Sequence, residues 1–105
     1  MPVFNIIARK TLLEYCETYP KAANALMEWY HEMIRKNFTK FQELKHMYGN
    51  ASLAGDDGVV FNIAGNKYRL VVRIVFEDKV IQIKWFGSHK EYDKIEVKNI
   101  KFLKR

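Results

Sequence analysis

A chain of 105 residues, 49% of them hydrophobic, is long enough for one domain with a real core, and one compact domain is the default expectation. Cys16 is its single cysteine, which excludes an intrachain disulfide and fits a reducing compartment, the cytoplasm. Eighteen Lys and Arg against twelve Asp and Glu leave a charge of +6, which favours an anionic partner without choosing among nucleic acid, ribosome, membrane surface and acidic protein.

The first apolar run, Val3 to Ile7, meets Arg9 and Lys10 too soon to be a secretory core, so no signal peptide is expected. Arg73 interrupts the longest apolar stretch, and no segment reaches the roughly 18 apolar residues of a membrane helix. No basic helix with a large apolar face supports a peripheral membrane role either. A soluble protein with no membrane partner is expected.

In chain order, residues 3–7 predict a short strand. Thr11-Leu12-Leu13-Glu14 has the spacing of a capping box and predicts a helix to about Tyr19, ended by Pro20. Ala22, Leu26, Trp29, Tyr30 and Met33 recur at three and four, the stripe of a second helix, so the two form a helical hairpin. Thr39-Lys40-Phe41-Gln42 repeats the capping pattern and predicts a short helix to about Tyr48. The stretch from Gly49-Asn50 to Gly58 is rich in turn residues and reads as a loop. From Val59 the period becomes two. Val59–Ile63, Tyr68–Phe76 and Val80–Phe86, separated by Gly65-Asn66 and Glu77-Asp78, predict a three-stranded antiparallel meander. The layout is α+β: an N-terminal strand and two-helix hairpin packed on a small antiparallel sheet, as one domain over residues 1–105.

If both hairpins turn on two residues, Ile63 faces Tyr68 and Phe76 faces Lys79, and the register follows by counting. One face then holds Val59, Phe61, Ile63, Tyr68, Leu70, Val72, Ile74, Ile81, Ile83 and Trp85, the expected core. The other collects Asn62, Arg69, Arg73, Gln82 and Lys84, three cations with no acid at a strand-interior position. A solvated sheet face usually mixes signs, so an anion site is the sharper reading and a solvated face the blander one.

Gly87-Ser88-His89-Lys90-Glu91-Tyr92-Asp93 follows the last strand and, in this register, emerges beside Arg69 and the Gly65-Asn66 turn. Ser88 and Glu91 have capping-box spacing, which puts His89, Tyr92 and Asp93 on one side of a short helical turn. Cleavage of RNA by its own 2′-hydroxyl needs a proton removed there, charge stabilised on the phosphate, and a proton delivered to the leaving 5′-oxygen. An imidazole, ordinarily titrating near pH 6.5, suits either proton transfer, and guanidinium groups hold phosphate through paired hydrogen bonds. This chemistry requires no metal or other cofactor. The alternative for His89 is a surface histidine in a turn, and for Tyr92 a phenol capping a small core.

Two blocks, Val60-Phe61-Asn62-Ile63-Ala64-Gly65-Asn66-Lys67-Tyr68-Arg69-Leu70-Val71 and Gly87-Ser88-His89-Lys90-Glu91-Tyr92-Asp93-Lys94, resemble the HigB-type toxins of the RelE superfamily. Arg9-Lys10-Thr11-Leu12 and Tyr19-Pro20-Lys21-Ala22 are similar to that family as well, so the likeness spans nearly the whole chain. The resemblance implies a microbial-RNase-like α+β fold and the toxin role of a type II toxin–antitoxin pair. It also implies endoribonuclease activity on mRNA at the translating ribosome, and inhibition by a helix-turn-helix antitoxin of the HigA type. Carried onto matching positions, it implies a catalytic set of His89, Tyr92 and Arg69. Asn66, Lys67 and Arg73 become RNA contacts, joined by Asn62 and Lys84 of the cationic face and by Lys90 of the second block.

The remaining chemistry-bearing residues read as structural. His31, His46 and Cys16 lack partners at ligand spacing, so no metal site is expected. Trp29, Trp85, Met27 and Met33 fit core stripes better than a base-stacking platform. Lys94, Lys98, Lys101, Lys104 and Arg105 suit either a basic tail that touches rRNA or a solvated end. A non-catalytic RNA- or ribosome-binding module of the same fold explains the charge equally well, and separates from the enzyme at His89 and Tyr92.

Overall fold

The computed structural model describes residues 4–7, 9–55 and 57–95. These residues form five strands and four α-helices: β1 (Asn5–Ile7), α1 (Arg9–Thr18), α2 (Ala23–Arg35), α3 (Phe41–Met47), β2 (Ser52–Ala54), β3 (Gly58–Ile63), β4 (Tyr68–Val75), β5 (Val80–Ser88) and α4 (His89–Lys94). Val3 of the expected first strand and the basic end from Lys98 to Arg105 lie outside the described residues.

The strands make a single sheet in the order β1-β5-β4-β3-β2. The meander β3-β4-β5 is as expected, but the sheet is wider and mixed. β1 joins its edge parallel to β5, with Ile6 opposite Ile81 and the Asn5 N–H donating to the Lys79 carbonyl at 2.8 Å. The stretch expected to be a loop holds β2, three residues antiparallel to β3. Its turn residues flank a strand too short to show a period.

The helical hairpin forms as its stripe predicts. Leu12, Ala22, Leu26, Trp29 and Met33 are all buried against one face of the sheet, and Trp29 and Tyr48 both meet Phe61 edge-on, at 5.4 and 5.2 Å between ring centres. Two capping expectations need correction. The first helix starts at Arg9, so Thr11 lies inside it rather than at its cap. At the third helix the carboxylate that reaches back belongs to Glu43, not to the side chain of Gln42: its Oε1 accepts from the Thr39 N–H and hydroxyl at 2.7 and 3.0 Å. Between the hairpin helices Pro20 opens a 3-10 turn over Pro20–Ala22, since its fixed φ suits a helical first turn and its missing N–H costs nothing there.

The register of β3 with β4 follows the count throughout: Ile63 faces Tyr68, Asn62 faces Arg69 and Gly58 faces Arg73. Gly65 (φ 66°) and Asn66 (φ 95°) supply the left-handed pair that a tight hairpin turn demands, and Ala64 (φ 56°) is left-handed too. A Cβ-bearing residue there costs about 1–2 kcal/mol, strain of the kind that collects at functional turns.

β4 and β5 keep the expected register only as far as Val72 opposite Ile83. Beyond it a bulge intervenes, and Val71 faces Trp85, Leu70 faces Phe86, Arg69 faces Gly87 and Tyr68 faces Ser88. One extra residue reverses every later side chain. Phe86 therefore takes the core position, stacked on Tyr68 at 5.5 Å, and Trp85, expected in the core, turns to the opposite face. There it packs with Tyr92 over Ala54, Val60 and Val71.

Candidate active site

At the end of the sheet where β5 runs into α4, the residues of the two sequence blocks converge. Ser88 caps α4 as its spacing predicts: its Oγ accepts from the Glu91 N–H at 3.2 Å, and Glu91 Oε1 accepts from the Ser88 N–H at 2.8 Å. The same Oε1 accepts from the Tyr19 hydroxyl at 2.9 Å. These donors hold the Glu91 carboxyl below its ordinary range, the Ser88 N–H contributing most. The phenol of Tyr19 is pushed up, by desolvation first and by the Glu91 bond next.

The capped turn presents His89 at the rim. Its backbone N–H donates to the Lys67 carbonyl at 2.8 Å, tying the first residue of α4 to the β3–β4 turn. Its Nδ1 lies 3.3 Å from Asp93 Oδ2, one helical turn on, an ion pair whenever the imidazole is protonated. A carboxylate at Nδ1 orients the ring and leaves Nε2 as the nitrogen turned to a substrate. With 47% of its side chain exposed, His89 is open to a large ligand. It lines a concavity of about 590 Å³ with Asn66, Lys67, Ser88, Lys90 and Asp93.

Arg69 stands opposite Gly87, two residues before His89. Its Nη1 donates to the Asn66 carbonyl at 3.0 Å, and its guanidinium lies 5.8 Å from the centre of the Tyr92 ring. Tyr92 is half-buried and also packs on Trp85, 6.0 Å between ring centres. Asn62 donates from Nδ2 to Asn66 Oδ1 at 3.1 Å, so the turn is braced from both strands. Arg69, Asn62, Asn66, Lys67, His89, Lys90 and Tyr92 thus share one corner.

Arg73 and Lys84 sit apart from it. Arg73 is four residues along β4 from Arg69, about 13 Å at strand rise. Its Nε pairs with Asp57 Oδ2 at 3.2 Å and its Nη1 donates to Gln82 Oε1 at 3.4 Å. Asp57 enters from the turn before β3, an acid that the strand-interior count missed. Lys84 is the residue that the bulge skips in the ladder. Asp93 stands i,i+4 from His89, a spacing legible in the sequence. Sequence reasoning misses Tyr19, which no local pattern links to Glu91.

His31 and His46 are exposed on α2 and α3, and Cys16 is half-buried, its thiol pushed up by burial. Among the described residues no group of three or more His, Cys, Asp or Glu is placed to hold a metal ion, and no helix is long and apolar enough to cross a membrane.

The family model described as HigB_toxin, the RelE-like toxic component of a toxin-antitoxin system, matches residues 22–95, from the hairpin turn to the end of the capped helix. This chain belongs to the HigB toxin family. It is 30% identical over 91 residues to the mRNA interferase toxin HigB of Escherichia coli (strain K12), covering 85% of this chain and 88% of that protein. It matches the mRNA interferase HigB of Shigella flexneri equally well, and that of Escherichia coli O6:H1 at 27% over 93 residues, 87% of this chain and 90% of that protein. The β3–β4 turn, the β5–α4 junction and the capped helix all lie inside the span that the HigB family model matches.

Proposed function

We propose that this HigB-family toxin is a metal-independent endoribonuclease that cleaves mRNA on translating ribosomes in the bacterial cytoplasm and is neutralised by a helix-turn-helix antitoxin of the HigA type. The observation that carries the reading is the convergence of an exposed, carboxylate-oriented imidazole with Arg69, Lys67 and Lys90. The names of its relatives, mRNA interferases, support RNA as the substrate. A surface that only held phosphate would need the cations and not the oriented imidazole.

In this reading the RNA backbone crosses the concavity with its scissile phosphate against Arg69 and Lys67, which stabilise the charge that builds on the phosphate oxygens. The 2′-hydroxyl gives up its proton and its oxygen attacks phosphorus. The P–O5′ bond breaks, leaving a cyclic phosphate on one fragment and, after protonation, a 5′-hydroxyl on the other. His89 Nε2 carries one of these protons, and Asp93 holds the ring and stabilises its charged form. Tyr92, lying against the Arg69 guanidinium, keeps that group aimed. Asn62 and Asn66 shape the turn from which Lys67 projects, and Arg73 and Lys84 extend the basic track along the outer face.

The test is His89→Gln, which keeps size and some hydrogen bonding but cannot titrate. Cleavage of a defined mRNA on purified ribosomes should fall about 10²–10⁴-fold, with ribosome binding retained and toxicity lost in parallel. Cutting at the wild-type rate would remove His89 from the chemistry and favour the non-catalytic ribosome-binding module.

A further inference from the structure

Glu91 has no place in the chemistry above, yet its Oε1 accepts from the nearby Ser88 N–H and from the hydroxyl of Tyr19, 72 residues away in the chain. We infer that Tyr19 is a positioning residue: through Glu91 it latches α4 to the helical hairpin and sets the attitude of the His89 imidazole. The inference rests on the proposed role of His89.

α4 is six residues long and buries none of its residues. So short a helix has little intrinsic stability, and its orientation depends on its anchors, of which the half-buried Tyr92 against Trp85 is one. Its first residue is tied to the Lys67 carbonyl, and Glu91 accepts from the N–H of the cap residue Ser88. The Ser88–Glu91 box ties α4 to the last residue of β5, and Tyr92 packs on Trp85 of the same strand, so these contacts fix α4 to the sheet alone. The Tyr19 bond adds the tie to the helical hairpin.

Tyr19 is itself well placed to act as a fixed post. Its ring lies edge-on to Tyr68 and Phe86, at 5.6 and 5.3 Å between centres, and Tyr68 and Phe86 stack on each other. Pro20 ends the helical run beside it, and the Tyr19 N–H donates to the Tyr15 carbonyl at 2.8 Å. The hydroxyl is therefore carried by an aromatic cluster and a closed helix end, and presented to the exposed Glu91 side of a short helix. The depressed carboxyl of Glu91 keeps the acceptor charged through the neutral range. The bond is exposed, so it adds little to global stability, while a small tilt of α4 displaces an imidazole whose placement must hold to within a fraction of an ångström.

The test compares Tyr19→Phe, Glu91→Ala, Glu91→Gln, both Tyr19→Phe double variants and His89→Ala, using a defined mRNA on translating ribosomes. Tyr19→Phe keeps the ring contacts and loses the donor. Its kcat should fall about three- to thirtyfold with KM within about twofold, because alignment and not binding is disturbed. Its melting temperature should stay within about 2 °C and amide exchange at His89 should quicken. Tyr19→Phe should cost nothing further in the Glu91→Ala background. Glu91→Gln keeps an oxygen for both donors and should retain most of the rate. Wild-type kcat in Tyr19→Phe beside an inactive His89→Ala overturns the latch alone, whereas a fully active His89→Ala overturns the reading beneath it. A rate loss that tracks a fall in melting temperature, or that adds in full to Glu91→Ala, also overturns the latch and leaves Tyr19 a packing residue.

Discussion

Gly87 faces Arg69 across the ladder, and what it lacks is what lets the site close. A Cβ added there would stand 2.7 and 2.8 Å from Cη2 and Cζ2 of Trp85 and 2.9 Å from Glu91 Oε1. Carbon atoms in contact normally sit about 3.5–4.0 Å apart, so the indole edge would have to retreat by about 1 Å. The Glu91 carboxylate is the end of a flexible chain and can yield. The indole cannot do so freely, because it packs over Val71 and Val60 and against Tyr92. Gly87→Ala should therefore behave as overpacking and cost about 1–3 kcal/mol. In a domain of this size that lowers the melting temperature by roughly 5–20 °C, measured by circular dichroism with tryptophan fluorescence reporting the indole. Ribosomal cleavage should fall with it, since the moving ring carries Tyr92 and hence Arg69. Pairing the change with Trp85→Leu makes room, so the double variant should be less destabilised than the sum of the singles. A Gly87→Ala protein that melts within about 2 °C of wild type and cuts normally would refute the placement of Trp85 on the outer face.

Arg69→Ala and Arg73→Ala should differ in kind: the first weakens RNA handling by about 1–3 kcal/mol with folding intact, whereas the second, which removes the ion pair with Asp57, lowers the melting temperature more than it lowers cleavage, and equal cleavage losses would contradict this division. The Glu91 carboxyl is held below its usual value of 4.5, so its hold on α4 is complete above that pH and fades as pH falls through the lowered value. His89 amide exchange should quicken accordingly on acidification from pH 6 to pH 3, corrected for intrinsic rates, and Glu91→Gln should flatten that response; an unchanged profile in Glu91→Gln would exclude the carboxylate as the cause. Cleavage should survive EDTA under conditions that keep ribosomes intact, since no ligand cluster exists among the described residues, and loss of cutting restored only by added metal would overturn metal independence.

Sequence alone determined much of what depends on neighbours along the chain, the caps of the first and third helices excepted. The period-two runs located β3, β4 and β5, and the Gly65-Asn66 turn set the β3–β4 register through to Gly58 opposite Arg73. Ser88 and Glu91, three apart, formed the capping box their spacing announces, because both partners of that motif lie within one turn. His89, Arg69 and Lys67 could thus be brought together by counting. Tertiary structure decided the rest. Trp85 and Phe86 are adjacent aromatics that fit the core equally well by pattern, and the bulge at Lys84 chose Phe86, since side-chain packing across three strands selects the frame and periodicity cannot. The parallel pairing of β1 with β5, the Asp57 partner of Arg73 and the Tyr19–Glu91 bond join residues far apart in the chain. Contacts of that separation leave no local spacing to read, and they exist only once the hairpin has packed on the sheet.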